Sequence, residues 1–325
     1  MALVSVIVPV YHNAATLPVL VDRLSSVAAK LADDRFEFVF VDDGSRDESF
    51  EVLRQLAKTD ERLRMIRLSR NFGPNAAILA GLTFAHGDCA VVLAADLQDP
   101  PELVPAMLDR WRDGDRVVFT ARRSRADSLA SRLASGMFNR LFRWLVFRDF
   151  PPGGFGFALI DRQVMDILLE LQEKNAFIFG QLLWVGFKRG VVHYDRKPRQ
   201  EGRSGWTPAK RIKYFIDAFT AFSYIPLRAA SVLGMSLAGL GFVYALAIVV
   251  ARLANGTAVP GWASLTVVVL VTSGVQLVLV GILGEYLWRV LDETRRRPVF
   301  IVETLVNIER SQSTERRASL NPSRS

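Results

Sequence analysis

The sequence predicts an α/β fold: an open, mostly parallel sheet with helices on both faces, followed by a hairpin of two long apolar helices. Three observations carry this. Apolar, β-branched runs alternate with segments of helical spacing through the first two thirds of the 325-residue chain. Two long runs without a charged residue, Ala229–Ala251 and Val259–Gly284, lie in the last third. Polar turns, two of them rich in carboxylates, follow three of the predicted strands, at the edge where open parallel sheets take their ligands.

Val4–Val10 is broken only by Ser5 and reads as a strand buried on both faces. Thr16 and Pro18 open a helix whose apolar positions are Leu17, Leu20, Val21, Leu24 and Val27. Phe36–Val41 is the second strand, and Ser45-Arg-Asp-Glu48 has the form of a capping box for the next helix. Leu63–Leu68 is the third strand, Asn75–Ala85 a helix, Ala90–Ala94 the fourth strand, Pro101–Trp111 a helix and Arg116–Thr120 the fifth strand. Gly153-Gly154-Phe155-Gly156 precedes a further predicted helix and is either a plain turn or an acceptor loop. No internal repeat is present.

Leu133–Phe147 carries an apolar stripe of Leu133, Met137, Phe138, Leu141, Phe142 and Leu145 beside Arg132, Arg140, Arg143 and Arg148. It reads either as a helix lying on a membrane surface or as a packing helix with solvated arginines. Lys210–Tyr224 is a second basic, aromatic stretch. The two uncharged runs each exceed the roughly 20 residues that span a bilayer. Lys210, Arg211, Lys213 and Arg228 precede the first and Arg289 and Arg295–Arg297 follow the second, while the loop between them offers only Arg252. The positive-inside rule then puts both ends in the cytosol and makes the protein a multi-pass protein of the plasma (inner) membrane. The expected organisation is a cytosolic domain over 1–208, a juxtamembrane segment over 209–228, two transmembrane helices over 229–288 and a cytosolic tail over 289–325. That tail is polar and predicted to be disordered from about Ser311.

The net charge of +8 favours acidic partners such as nucleotide phosphates, lipid phosphates or an anionic bilayer. Nucleic acid is not expected, because no nucleic-acid motif accompanies the charge. Cys89 is the only cysteine, so no disulfide framework forms within the chain, which suits a cytosolic domain. The N-terminal stretch lacks a basic n-region and a cleavage site and reads as the start of the first strand. His12, His86 and His193 are not spaced as metal ligands.

The turns after the strands are Pro9-Val-Tyr11-His-Asn13, Asp42-Asp43-Gly-Ser45 and Ala94-Ala95-Asp96-Leu-Gln98-Asp99-Pro-Pro-Glu102. One such turn is weak evidence, since Asp-Asp-Gly-Ser is also a good helix cap; the three in this order are far more specific. With VSVIVPVYHN, VFVDDGSRDES, LSRNFGPNAAILAGL, ADLQDPPEL and GRSGWTPAKRIKYFIDAFTAFSYIPLR, the sequence resembles the inverting glycosyltransferases of the GT-A fold, family two. Within them it is most similar to the polyprenyl-phosphate glycosyltransferases, relatives of dolichol-phosphate mannose synthase and the bactoprenol glucosyltransferases. The resemblance runs to about Asn307.

The resemblance implies a cytosolic GT-A domain that moves one sugar from a UDP- or GDP-sugar to polyprenyl phosphate. Pro9, Tyr11, Asn13, Asp42, Asp43, Ala94 and Ala95 would form the nucleotide site, with Asn13 where the family usually has an acidic residue. Asp96 and Gln98 remain of the family's Asp-x-Asp-x-Gln motif, Ala94 replacing its first Asp, and would hold Mg²⁺ or Mn²⁺ with the diphosphate. Asp99 is either a supporting group or a cap before Pro100-Pro101. Pro74 stands where the family often has a phosphate-binding lysine. The remaining basic groups are Arg122, Arg123 and Arg125 after the fifth strand and Arg196, Arg199, Arg203 and Lys210 near the membrane approach. Arg122 and Arg125 join Asp96 and Gln98 as expected catalytic residues; with Arg196, Arg199 and Ser204 they form the expected acceptor-phosphate site. The expected partners are the nucleotide sugar, the lipid phosphate and the bilayer, with homo-oligomers left open. Two rival functions remain: a processive polysaccharide synthase, against which Gln181-Leu-Leu-Trp184 lacks the family's Arg, and a membrane scaffold with a decayed sugar site.

Overall fold

The computed structural model describes residues 1–122, 155–171, 178–194, 225–255 and 261–308. Outside these residues lie the stretches Leu133–Phe147 and Lys210–Tyr224, Gly153-Gly154, most of the loop between the apolar runs and the tail from Ser311. Arg123, Arg125, Arg196, Arg199, Arg203, Ser204 and Lys210 lie outside them too. The chain divides into two compact units, Met1–Ala218 with Arg296–Ser325, and Phe219–Arg295.

The first unit is built on β1 (Leu3–Val10), α1 (Leu17–Lys30), β2 (Arg35–Asp42), α2 (Ser49–Leu56), β3 (Leu63–Leu68), α3 (Pro74–Phe84) and β4 (Cys89–Val92). It continues through a single 3₁₀ turn (Pro101–Leu103), α4 (Val104–Arg112), β5 (Val117–Arg122), β6 (Phe155–Asp161), α5 (Arg162–Leu171), α6 (Ile178–Trp184) and β7 (Arg189–Tyr194). The described strands form one eight-stranded sheet in the order β7-β5-β6-β4-β1-β2-β3-β8, where β8 is Val302–Val306. Strands β4, β1, β2 and β3 run parallel, as expected. The sheet as a whole is mixed, because β6 lies antiparallel between β4 and β5, and β8 antiparallel on β3.

The β-branched runs become central strands because both faces are covered. Val4, Val6, Val8 and Val10 of β1 pack with Leu17, Leu20 and Leu24 of α1 and with Phe38 and Phe40 of β2. On the other face α3, with Ala77, Ala80 and Leu82 fully buried, lies against β1 and β2. Burying each large apolar side chain contributes about 1.5–3 kcal/mol. The chain steps from β1 to β2 to β3 in one direction, then α3 carries it back to place β4 on the other side of β1. That reversal opens a crevice between the carboxyl ends of β1 and β4.

Several local expectations are revised. The capping box does not form: α2 starts at Ser49, and Ser45 N–H donates to Asp42 Oδ1 at 3.1 Å. α3 starts at Pro74, which needs no hydrogen bond at the first helical position. The helix expected from Pro101 opens as the 3₁₀ turn. The stretch from Phe155 is strand β6 before it becomes helix.

The second unit contains α7 (Ile225–Asn255) and α8 (Trp262–Thr294), which pack on each other. Their stretches Leu227–Val250 and Val271–Thr294, of mean hydropathy 2.2 and 1.4, are long and apolar enough to cross a membrane. Side chains such as Leu240, Phe242, Leu277 and Val280 are exposed along them. The second stretch runs further toward the C-terminus than the uncharged run because α8 continues through the Glu285–Arg289 ion pair, 3.1 Å, one turn apart. The segment 289–325, taken from the sequence as a tail, thus contributes the end of α8 and β8. In the first unit, Ser69 N–H donates to Ile301 O at 3.0 Å, and Asn307 Nδ2 donates to Ala57 O and Leu63 O at 3.2 and 3.0 Å.

Candidate active site

The β1 exit is held in an unusual conformation. His12 has φ 57°, a left-handed value uncommon for a residue with a side chain. Its N–H donates to Ser45 Oγ at 3.1 Å, and its ring Nε2 accepts Arg46 N–H at 3.2 Å. The Tyr11 and His12 rings stack 4.2 Å apart, with Tyr11 exposed. Asn13 Oδ1 accepts Tyr11 N–H at 3.0 Å, and Asn13 N–H donates to Ser49 Oγ at 2.9 Å. Asp47 accepts Ser49 N–H at 3.2 Å and Ala14 N–H at 3.5 Å. Partial burial pushes the Asp47 carboxyl up, but these bonds outweigh it and hold the group below its ordinary value.

The β2 exit supplies the wall rather than the surface of the crevice. Asp42 and Asp43 are 1% and 3% exposed. Asp42 Oδ1 holds the Ser45 turn, and Arg67 Nε faces Asp42 Oδ2 at 3.5 Å. Asp43 Oδ1 accepts Phe72 N–H at 2.7 Å and Oδ2 accepts Gly73 N–H at 2.9 Å. Burial raises the Asp43 carboxyl above its ordinary value against the pull of these two N–H groups, and the neighbouring Asp42 adds to the rise. Gly44, at φ 67°, leaves room for the β3 exit: a Cβ there would lie 2.5 Å from Arg70 C. At that exit Arg70 lies over the Phe72 ring, 4.0 Å from its centroid.

The β4 exit presents Asp96 and Gln98. Leu93 N–H donates to Ile7 O at 2.9 Å, then the chain turns through Ala94 and the buried Ala95 to Asp96. Asp96 Oδ1 accepts Gln98 N–H at 3.2 Å, and Leu97 between them has φ 59°. A leucine in this region costs roughly 1–2 kcal/mol. Strained backbone of this kind concentrates at functional sites, and here it follows both strands that flank the crevice. The β1 and β4 exits are tied directly, since the Thr16 hydroxyl lies 2.7 Å from Ala95 O and 3.1 Å from Asn13 O.

Asp99 is 4% exposed and does not cap the 3₁₀ turn, whose N-cap is Pro100. Its Oδ1 accepts the hydroxyl of Tyr194, the last residue of β7, itself 5% exposed. Tyr194 is in register with Arg122, the last residue of β5.

The structure therefore brings Tyr11, Asn13, Ala94, Ala95, Asp96 and Gln98 to one crevice, with Pro9 half-buried on β1 and Asp42 and Asp43 in its wall. Arg122 ends β5; the other arginines and Ser204 lie outside the described residues. Asp96 and Gln98 offer a carboxylate and a carboxamide on one half-buried turn. Among the described residues no group of three or more Asp, Glu, His or Cys could hold a metal by itself. This oxygen donor set fits Mg²⁺ or Mn²⁺ held jointly with a diphosphate, since such ions keep few protein ligands. Sequence reasoning gave Thr16 only a helix-opening role and singled out neither Ser49 nor Tyr194. Their partners are 79, 36 and 95 residues away, and no periodicity reports such pairs.

The profile of Glycosyl transferase family 2 matches residues 5–167, which include all four of these strand exits. A Bacillus subtilis protein described as an uncharacterized glycosyltransferase is 38% identical over 94% of each chain. An undecaprenyl-phosphate 4-deoxy-4-formamido-L-arabinose transferase of Pseudomonas syringae is 35% identical over 96% of this chain and 93% of its own. A bactoprenol glucosyl transferase of Shigella phage SfV is 32% identical over 92% of this chain and 98% of its own.

Proposed function

Because the chain belongs to glycosyl transferase family 2 and has a GT-A glycosyltransferase domain, we propose that it moves a single sugar, with inversion, from a UDP- or GDP-sugar to polyprenyl phosphate at the cytosolic face of a membrane. The observation that carries this reading is the Asp96-Leu97-Gln98 turn, set at the crevice where the sheet reverses direction. Relatives named for bactoprenol and undecaprenyl phosphate, similar over nearly their whole length, support the acceptor.

In this reading Tyr11 offers an exposed ring face to the base, and Pro9, Asn13, Ala94 and Ala95 border the nucleotide. Asp42 and Asp43 hold the loops around it. Asp96 and Gln98 orient the diphosphate. A bound Mg²⁺ or Mn²⁺ would neutralise charge developing on the departing nucleoside diphosphate. The acceptor phosphate monoester is already anionic near neutral pH, so its oxygen attacks the anomeric carbon without a strong general base. The catalytic requirement is then positioning and electrostatic stabilisation. Arg122, Arg125, Arg196 and Arg199, with Ser204, are assigned to the acceptor phosphate, and α7 and α8 to the bilayer, as a multi-pass anchor that leaves both chain ends cytosolic.

Purified full-length protein in lipid nanodiscs, given undecaprenyl phosphate and a panel of nucleotide sugars, tests this. One donor is expected to support transfer to the lipid phosphate and not to undecaprenol. Equal transfer to undecaprenol, diacylglycerol or a protein would overturn the acceptor class.

A further inference from the structure

Tyr194 and Asp99 make a buried hydrogen bond between distant parts of the sheet. Tyr194 ends β7 at one edge, whereas Asp99 follows β4, three strands away in the order β7-β5-β6-β4. The phenol reaches that far because Gly156 on β6 has no side chain. A Cβ there would overlap the Tyr194 hydroxyl, lie 3.2 Å from its ring Cε1 and crowd Thr120 Oγ1 at 2.7 Å. Thr120 Oγ1 is itself engaged, accepting Phe157 N–H at 2.8 Å and lying 3.0 Å from Phe157 O, so it has little freedom to move aside. Both partners are almost fully buried, so the bond is shielded from competing water.

Asp99 directly follows Gln98, and the turn before it is under backbone strain at Leu97. A strained turn persists only where its surroundings fix it. On its N-terminal side the turn is fixed by Thr16 on Ala95 O. On its C-terminal side the Tyr194 hydroxyl on Asp99 does the same.

We propose that Tyr194 and Asp99 are a positioning pair that holds the Asp96–Gln98 turn in its binding conformation, so that affinity for a cation-bound nucleoside diphosphate depends on a hydroxyl three strands away. This rests on the glycosyltransferase reading of the same crevice. Neither residue touches the nucleotide in this account; each acts through the turn.

The experiment is isothermal titration of full-length protein with UDP and with GDP, each with and without Mn²⁺, beside thermal denaturation. The wild type is expected to bind one of the two with Mn²⁺ more tightly than without. Tyr194→Phe, which keeps the ring and removes the hydroxyl, is expected to weaken binding about tenfold with Mn²⁺ and to leave the metal-free affinity unchanged. Asp99→Asn retains a carbonyl acceptor for the phenol and is expected to lose less than threefold. The Tyr194→Phe/Asp99→Ala double variant is expected to be no weaker than Asp99→Ala alone, because the two act through one bond. Unchanged Mn²⁺-dependent affinity in Tyr194→Phe, or equal weakening with and without Mn²⁺, overturns the positioning role. If Tyr194→Phe does not fold, Gly156→Ala, which displaces the phenol, and Asp99→Ala give the same reading. Wild-type protein that binds neither nucleotide overturns the donor-site reading itself, and the inference with it.

Discussion

The carboxylate of Asp43 accepts the N–H groups of Phe72 and Gly73, at 2.7 and 2.9 Å, and so fastens the exit of β3 to the exit of β2. Gly73 is the N-cap of α3, so the same contact fixes where that helix begins. Asp43→Ala is expected to strand two partly buried donors at a cost of about 1–3 kcal/mol. A lowered Tm and weaker nucleoside-diphosphate binding in the purified variant check this. Asp43→Asn keeps one acceptor and is expected to lose less.

Acid sensitivity follows from Asp34. Burial pushes this carboxyl up, but the Ala2 N–H at 3.1 Å and the Arg112 guanidinium outweigh it, and the net value lies below the ordinary 3.8. A lowered folded-state value means that the stabilisation is complete above about pH 3.8 and is lost as the pH falls through the lowered value. Asp34→Asn is therefore expected to melt below the wild type at pH 6, and the difference to shrink as the pH falls below 3.8. A constant difference in Tm across that range would contradict the assignment.

The proposed topology places the loop between α7 and α8 outside and both chain ends in the cytosol. Single cysteines introduced at Thr257 and at Ser313 are expected to label from opposite sides of intact spheroplasts. Cys89 is fully buried and its thiol is pushed up by that burial, so native protein is expected to stay unlabelled. Labelling of both introduced cysteines from one side would exclude two spans.

Strands β1, β2 and β4 were legible because each is a mostly apolar run buried on both faces, which is what a central parallel strand requires, whereas β3 was legible from the buried Leu63, Met65, Ile66 and Leu68 around two half-buried arginines. Strands β6, β7 and β8 gave weaker signals. Val302–Val306 is a half-exposed strand that, among the described residues, pairs only with β3, more than 230 residues earlier in the chain. Ser45 carried a capping signal, but its hydroxyl is taken by His12 N–H, so the helix starts later. In the site, the residue types at the strand exits were readable and their directions were not. Asp42 and Asp43 turn toward backbone N–H groups because Gly44 lets the loop after β3 pass against them, a consequence of packing. Asp99 reads locally as a helix cap, yet its partner is Tyr194.

The central claim is that the Asp96 turn is where the donor diphosphate is held during transfer. Its most direct test is the rate of sugar transfer to undecaprenyl phosphate by Asp96→Asn, measured with purified full-length protein at saturating donor. Loss of a charge needed in the transition state typically costs 10²–10³ in kcat, about 3–4 kcal/mol of barrier. The account predicts a fall of that size with protein yield and Tm close to wild type, whereas a variant that turns over near the wild-type rate would contradict it.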